Sequence, residues 1–116
     1  MSTSPSIVVV FTCDGMGSTS AEELRHRLAG NFLRLLAQAE PRPRVICFYT
    51  DGVKLACEGS PVLEALQALE ADGVTLVLCS TCLDYFGLRE KVRVGVVGGL
   101  PDILTAMWAA DKVITV

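Results

Sequence analysis

The sequence has no long apolar run, no excess of basic residues and only one histidine. The longest apolar segments, such as Ile7–Phe11, fall far short of the roughly 20 residues that a membrane span requires. Ten Lys and Arg residues against 13 Asp and Glu residues give a net charge of −3, the wrong sign for nonspecific binding to a phosphate backbone. We therefore expect neither a membrane nor a nucleic acid as a partner.

A zinc site is not indicated either. The cysteines do not supply a second pair at ligand spacing, and the single histidine, His26, lies beside Glu22 and Glu23 on the charged face of a predicted helix. We interpret His26 as a solvated surface residue, and we expect no metal and no cofactor.

The first six residues are polar and uncharged, unlike the charged segment and apolar core of a signal peptide. We expect a cytoplasmic protein whose cysteines stay reduced unless they do chemistry. A length of 116 residues allows one domain with its own core, so residues 1–116 are predicted to form a single domain in which residues 1–6 are a flexible tail.

Short segments rich in Val and Ile alternate with helical patterns along the chain. Five such segments are predicted to be strands: residues 7–11, 45–49, 74–79, 92–97 and 112–116. Most show no polar alternation, which is typical of strands buried on both faces of a parallel sheet. We predict an α/β fold, a single three-layer α/β/α domain with a mostly parallel five-stranded sheet.

Three crossover helices are predicted between these strands. Ser20 begins the first, with Glu23 at capping-box spacing. Ser60 caps the second, with Pro61 at its first position. The last spans residues 101–110. A shorter helix is predicted after the third strand, capped by Ser80 or Thr81 and stopped by Gly87.

Sites in an open parallel sheet form at the carboxyl ends of the strands. The polar and thiol residues that follow the first three strands are Cys13 and Asp14, then Asp51 and Lys54, then Cys79, Ser80, Thr81 and Cys82. Cys47 lies within a strand and is assigned to the core. Cys57 could either approach the site or fill space under the loop, and Asp51 and Lys54 could either tune a thiolate or simply be solvated.

The CSTC segment at residues 79–82 is the sharpest local feature. A thiol at the start of a helix has its thiolate stabilised by the helix dipole and the free amides, which favours a nucleophile. Spacing alone leaves a structural role open, because redox enzymes, zinc sites and chance share the CxxC pattern.

Three loop motifs together resemble the DsrE-like family, and most closely the C-terminal domain of the YedF group of sulfurtransferase-like proteins. They are CDGMGSTSAEEL after the first strand, TDGVKLACEGS after the second and CSTCLDYFGL after the third. The resemblance implies an α/β/α subunit in homo- or hetero-oligomers, with sulfur carried as a persulfide at the position of Cys79. Cys82 completes the cysteine pair of YedF-like sequences.

The chain also departs from this pattern. It lacks the Cys-Pro motif of the TusA-like domain that usually precedes such domains, Ser80 replaces a usual glycine, and Tyr85 and Phe86 replace basic residues of the sulfur-relay subunits. The sulfur donor is therefore expected to be a separate protein.

We predict a sulfurtransferase-like carrier in which Cys79 accepts sulfane sulfur, Cys82 resolves the product, and separate proteins donate and accept the sulfur. A homo-oligomer, a trimer or hexamer, is expected. The alternative is a noncatalytic oligomeric binding module of the same fold, with a variant linked to selenium metabolism. A third hypothesis is a metal clip across Cys13, Cys79 and Cys82.

Overall fold

The computed structural model describes residues 4–116, and within them the chain forms five β-strands and four α-helices. The strands are β1 (Ile7–Phe11), β2 (Val45–Phe48), β3 (Thr75–Cys79), β4 (Val96–Gly98) and β5 (Lys112–Thr115). The helices are α1 (Glu22–Gln38), α2 (Leu63–Ala71), α3 (Ser80–Phe86) and α4 (Leu100–Ala109). Two 3₁₀ segments, Thr50–Ala56 and Arg89–Lys91, complete the chain order.

All strand pairs in the sheet are parallel, in the order β4-β3-β2-β1-β5. The chain steps from β1 to β4 in one direction and then crosses from β4 at one edge to β5 at the other. Because such crossovers are right-handed, α1 and α2, which contact each other, cover one face, and α4 covers the opposite face. The predicted α/β fold is confirmed, and the sheet is wholly parallel.

The three central strands carry the core. Their side chains are almost entirely buried, and the Phe11 ring stacks on Phe48 at 5.6 Å and meets Phe32 of α1 edge-on at 6.1 Å between ring centroids. Burial on both faces explains why these strands show no polar alternation. At the sheet edge, by contrast, Val113 and Ile114 of β5 stay more than 40% exposed.

The fourth strand begins later than predicted. Residue 92 was expected to open it, but Val92 forms an antiparallel bridge with Cys57, and the Arg93 N–H donates to the Ala56 carbonyl at 2.9 Å. Gly95 then turns the chain into β4 with φ +84°, and a Cβ there would lie 2.6 Å from Leu78 Cδ1. The strand therefore starts only at Val96.

The predicted serine caps are wrong in detail. Helix α1 begins at Glu22 with Ala21 as its N-cap residue, because Thr19 Oγ1 accepts the Ala21 N–H and leaves Ser20 outside the helix. Ser60 Oγ accepts the Val62 N–H at 3.2 Å, which closes a turn, and α2 begins only at residue 63. Helix α4 opens one residue earlier than predicted, at residue 100.

The chain before β1 is fixed from Ser6 onward. The Ser6 N–H donates to Asp111 Oδ2 at 2.7 Å, and its carbonyl accepts the N–H groups of Asp111 and Lys112. Residues 1–3 of the predicted tail lie outside the described residues. No helix in residues 4–116 is both long and apolar enough to cross a membrane.

Candidate functional site

The loops after β1 and β2 and the start of α3 meet at the carboxyl edge of the sheet. The 3₁₀ segment Thr50–Ala56 lies between the other two and contacts both. Its Gly52 packs so closely on β1 that a Cβ there would lie 2.2 Å from the Phe11 carbonyl oxygen. Thr50 Oγ1 donates to the Thr12 carbonyl on one side, and the Thr50 N–H faces Cys82 Sγ at 3.0 Å on the other.

Cys79 and Cys82 form the centre of this edge. Cys79 is the last residue of β3 and the N-cap residue of the seven-residue α3, whereas Cys82 stands in the first turn of that helix. The two thiols lie close enough for Cys79 to affect the pKa of Cys82. Cys79 is only 2% exposed and Cys82 is partly exposed, so Cys82 presents the accessible sulfur of the pair.

The electrostatics of Cys82 oppose the expectation of a low-pKa thiol. Burial raises the pKa of Cys82 most, the Cys79 thiol and the Asp51 carboxylate raise it further, and the Thr50 N–H lowers it. The net result is a pKa above the ordinary cysteine value. Helix α3 is short and its start is packed against the 3₁₀ segment, so desolvation outweighs the stabilisation of the thiolate.

Cys13 flanks the same edge from the loop after β1. Its thiol donates to the carbonyls of Gly17 at 3.1 Å and Gly15 at 3.4 Å. Burial raises the pKa of Cys13, Arg25 lowers it, and Asp14 and Asp51 raise it. Cys13 is partly exposed, and its raised pKa disfavours the thiolate.

The remaining two cysteines are structural. Cys47 on β2 is fully buried, as predicted, and burial raises its pKa to about 11. Cys57 is 2% exposed, and its thiol donates to the Val53 carbonyl at 3.3 Å under the loop. The sequence left open whether Cys57 approaches the site or fills space under the loop. Its burial favours the second role.

The charged residues of the second loop are paired. Lys54 Nζ lies 2.7 Å from Asp51 Oδ1 and 4.5 Å from the ring centroid of Phe86 on α3. This arrangement ties the 3₁₀ segment to α3 by an ion pair and a cation-π contact. Ser80 and Thr81, expected to cap α3, are instead its first two residues, because Cys79 stays extended and takes the N-cap position.

Two clefts open at this edge, one lined by Cys57 and the other by Cys13, and they share Asp14 and Lys54. One of about 420 Å³ is lined by Asp14, His26, Lys54, Cys57, Glu58, Gly59, Ser60, Pro61, Phe86 and Leu88. The other, of about 390 Å³, is lined by Cys13, Asp14, Gly17, Ser18, Thr19, Glu22, Arg25, Asp51 and Lys54. The clefts give small molecules or a partner's loop access to this edge.

The structure corrects two expectations about metal-ligating residues. His26 is not a solvated surface residue: its side chain is only 22% exposed, because the loop after β1 folds back over α1 and sets Asp14 against it at 3.2 Å. Among residues 4–116, Cys13, Cys79 and Cys82 do not bring three sulfurs within 4.8 Å of one another, so the metal clip across them is not formed.

A known protein family matches most of the chain. A family model described as the DsrE/DsrF-like family matches residues 16–116, which include both the 3₁₀ segment and the cysteine pair. The chain belongs to the DsrE/DsrF-like family. The resemblance to the DsrE-like family is thereby confirmed.

Solved structures support the DsrE/DsrF-like fold. The ychN protein from E. coli is 25% identical, with a TM-score of 0.72 over 97% of this chain and 99% of its own. MTH1491 from Methanobacterium thermoautotrophicum, a protein of unknown function, is 21% identical with a TM-score of 0.65, over 96% and 99%. BT1422 from Bacteroides thetaiotaomicron, also of unknown function, is 14% identical with a TM-score of 0.67, over 95% and 94%. The last two show the fold alone. No curated protein sequence matches the chain.

Two residues of this DsrE/DsrF-like site were missed from the sequence. Thr50 contacts Cys82 because its backbone adopts φ +50°, a left-handed conformation that a threonine in a sequence does not signal. His26 pairs with Asp14 across a loop fold that helical periodicity cannot show. The signal available in the sequence was only the position of Thr50 directly after a buried strand.

Proposed function

We propose that the protein is a sulfur carrier that accepts sulfane sulfur as a persulfide and relays it to a partner thiol. The observation that supports this proposal most is the cysteine pair at the carboxyl edge. A partly exposed Cys82 sulfur accepts a backbone N–H from Thr50 and lies against the buried Cys79 thiol. This arrangement supplies an accessible nucleophile, a donor for its thiolate and a second thiol within reach.

The difference in solvent exposure between Cys79 and Cys82 decides which role we propose for each cysteine. The strand-end position of Cys79 matches the persulfide cysteine of the family, but its 2% exposure leaves no path for a donor protein. We therefore assign sulfur acceptance to Cys82 and resolution to Cys79.

The loading step is a displacement at sulfur. The Cys82 thiolate attacks the outer sulfur of a donor persulfide, a new S–S bond forms at Cys82, and the donor S–S bond breaks. The donor's inner sulfur leaves as a thiolate and takes up the proton that Cys82 lost. Thiol chemistry of this kind proceeds only through the thiolate, so the Thr50 N–H supports the step by stabilising that form.

The loaded sulfur then has two fates. A partner thiolate can attack the outer sulfur, which leaves the partner persulfidated and returns Cys82 as a thiolate opposite the Thr50 N–H. Alternatively, Cys79 attacks the inner sulfur, a Cys79–Cys82 disulfide forms, and hydrosulfide leaves. Both steps balance without an added oxidant or reductant, and after the second an external thiol must reduce the Cys79–Cys82 disulfide before the carrier is loaded again.

The proposal includes separate donor and acceptor proteins and a homo-oligomer, a trimer or hexamer. An apolar stripe on α4 supports the assembly. Leu100, Leu104 and Trp108 recur at four-residue spacing and are 59%, 52% and 84% exposed. Leu100 and Leu104 border an apolar groove of about 520 Å³ that Tyr49 also lines. Exposed apolar surface of this kind is typical of an interface.

A noncatalytic binding module of the same fold is the rival function, and the selenium-linked variant falls within it. It is favoured by one observation: the pKa values of both accessible thiols, Cys13 and Cys82, are raised rather than lowered. In this alternative the clefts bind a partner loop or a small ligand, and the thiols stay protonated.

Incubation with a cysteine desulfurase and cysteine separates the two functions. We expect mass spectrometry to show one added sulfur atom on Cys82. Cys82→Ser should abolish the label, Cys79→Ser should keep it but lose the resolving disulfide, and the matched variant Cys13→Ser should behave like the wild type. Full labelling of Cys82→Ser would contradict the role assignment. An unlabelled wild type with uniformly slow thiols would favour the binding module.

A further inference from the structure

A cluster of potential metal ligands lies where the loop after β1 packs against α1, and it takes no part in the proposed sulfur chemistry. Asp14, Glu22 and His26 each offer one ligand atom, and these atoms all lie within 4.8 Å of one another. Among residues 4–116 this is the one such group of three. Asp14 lines both clefts, Glu22 lines one and His26 the other, so solvent reaches the cluster from two directions.

The fold fixes the three side chains in this position. Glu22 and His26 are one turn apart on α1 and therefore share a face of the helix. Asp14 is brought to them by the loop, since the Met16 N–H donates to the Arg25 carbonyl and Arg25 Nε donates to the Asp14 carbonyl, both at 3.1 Å.

Gly15 makes this close approach possible. It has φ +132°, and a Cβ there would lie 2.5 Å from Arg25 Cβ. Any side chain at this position would push the loop, and Asp14 with it, away from α1.

The histidine nitrogen gives an independent indication of a ligand. His26 Nε2 is buried and makes no hydrogen bond, although the Asp14 carboxylate oxygen is 3.2 Å away. Buried polar atoms are ordinarily satisfied, so this atom calls for an explanation. Asp14 is an ion-pair partner of His26 but forms no hydrogen bond with this nitrogen, whereas a metal ion between the imidazole and the carboxylates would bind it directly.

We propose that Asp14, Glu22 and His26 bind a divalent transition-metal ion. One imidazole nitrogen and two carboxylate oxygens suit Mn²⁺, Co²⁺ or Zn²⁺. Three protein ligands leave open coordination positions toward the clefts, which is typical of an exchangeable rather than a closed structural site. The site is separate from the cysteine pair and stands whether or not sulfur is carried.

Because His26 is the only histidine, the Hε1 proton of its ring gives a single NMR signal that reports on this site. Mn²⁺ is the first probe, since it is paramagnetic and prefers oxygen and nitrogen to thiols. We expect the His26 signal to broaden saturably at one equivalent of Mn²⁺. Asp14→Asn and Glu22→Gln should each weaken the effect about tenfold or more.

Glu23→Gln provides the matched control, because Glu23 is the neighbouring carboxylate on α1 and pairs instead with Arg27. It should bind Mn²⁺ like the wild type, and circular dichroism should show that all three variants are folded. A His26 signal that does not respond saturably, or that responds equally in Asp14→Asn, would overturn the proposal and leave only the contact between His26 and Asp14. The readout needs no sulfur loading, so failure of the carrier function would not affect it.

Discussion

The Thr50 backbone N–H points at the Cys82 sulfur from 3.0 Å, and the left-handed backbone of Thr50 makes this possible. Such a conformation costs about 1–3 kcal/mol for a residue other than glycine and persists only where surrounding contacts enforce it. Here Thr50 Oγ1 hydrogen-bonds to the carbonyls of Thr12 and Tyr49. The resulting donor stabilises the Cys82 thiolate, which the proposed carrier uses both as nucleophile and as leaving group.

Replacing Asp51 with asparagine should make Cys82 more reactive. The Asp51 carboxylate raises the pKa of Cys82, so its removal lowers that pKa and increases the thiolate fraction near neutral pH. Because Asp51 is half exposed, the expected gain in alkylation rate at pH 7.5 is about twofold to threefold. The rate at Cys82 would be followed against pH by mass spectrometry.

In the wild type the alkylation rate at Cys82 should keep rising with pH beyond the ordinary thiol pKa, because the pKa of Cys82 is raised. Glu58→Gln is the control, since Glu58 pairs with Lys91 and Arg93 and does not act on Cys82. An unchanged or slower rate in Asp51→Asn would show that Asp51 does not influence this thiol.

A methyl group at Gly52 should destabilise the protein. The Cβ of Gly52→Ala would lie 2.2 Å from the Phe11 carbonyl oxygen, so the 3₁₀ segment must move away from β1, at a cost of about 1–3 kcal/mol. That movement also withdraws the Thr50 N–H from Cys82. Urea denaturation measures the loss.

Gly30→Ala offers the matched comparison within α1. The nearest contact of a Cβ at Gly30 would be Arg34 Nη1 at 3.6 Å, and alanine is the better helix former, so this variant should gain about 0.5–1 kcal/mol. Equal effects of the two substitutions would refute the close approach at Gly52.

The layout of the sheet and the placement of the cysteine pair could be predicted, because both depend on local patterns. Buried strands β1 to β3 have continuous apolar runs, and Gly87 ends α3 in the left-handed conformation that glycine favours. Once Cys79 ends a parallel strand, topology brings it and Cys82 to the carboxyl edge.

What could not be predicted depends on contacts between loops. Ser20 was expected to cap α1. Thr19 Oγ1 accepts the Ala21 N–H instead, so Ser20 lies outside the helix. The burial of His26 follows from the path of the loop after β1, and the raised pKa of Cys82 follows from packing against Thr50–Ala56. None of these has a periodic signature, since each is set by tertiary structure.

Charging the α4 stripe should dissociate the proposed homo-oligomer. Trp108 is 84% exposed, and Trp108→Glu or Leu104→Glu would place a carboxylate in a surface that must be desolvated on assembly. We expect a wild-type trimer or hexamer and smaller species for both variants in size-exclusion chromatography with light scattering. Leu35→Glu, at a 66% exposed leucine of α1, should leave the mass unchanged. A monomeric wild type would contradict the proposal.

Cys47 should make the protein less stable in alkali. Its buried thiol has a pKa of about 11, so between the pKa of an unfolded cysteine and pH 11 the native state retains a proton that the unfolded state has released. The contribution of the Cys47 thiol to the free energy of unfolding is therefore complete at neutral pH. It declines as pH rises, by about 1.4 kcal/mol per pH unit in that window. Cys47→Ala removes this term, although the lost packing lowers its stability at every pH. Urea denaturation measures the free energy of unfolding of both proteins from pH 7 to 11. The two curves of this free energy against pH should converge as pH rises, since other titrating groups affect both proteins alike. Parallel curves would show that ionisation of Cys47 does not limit alkaline stability.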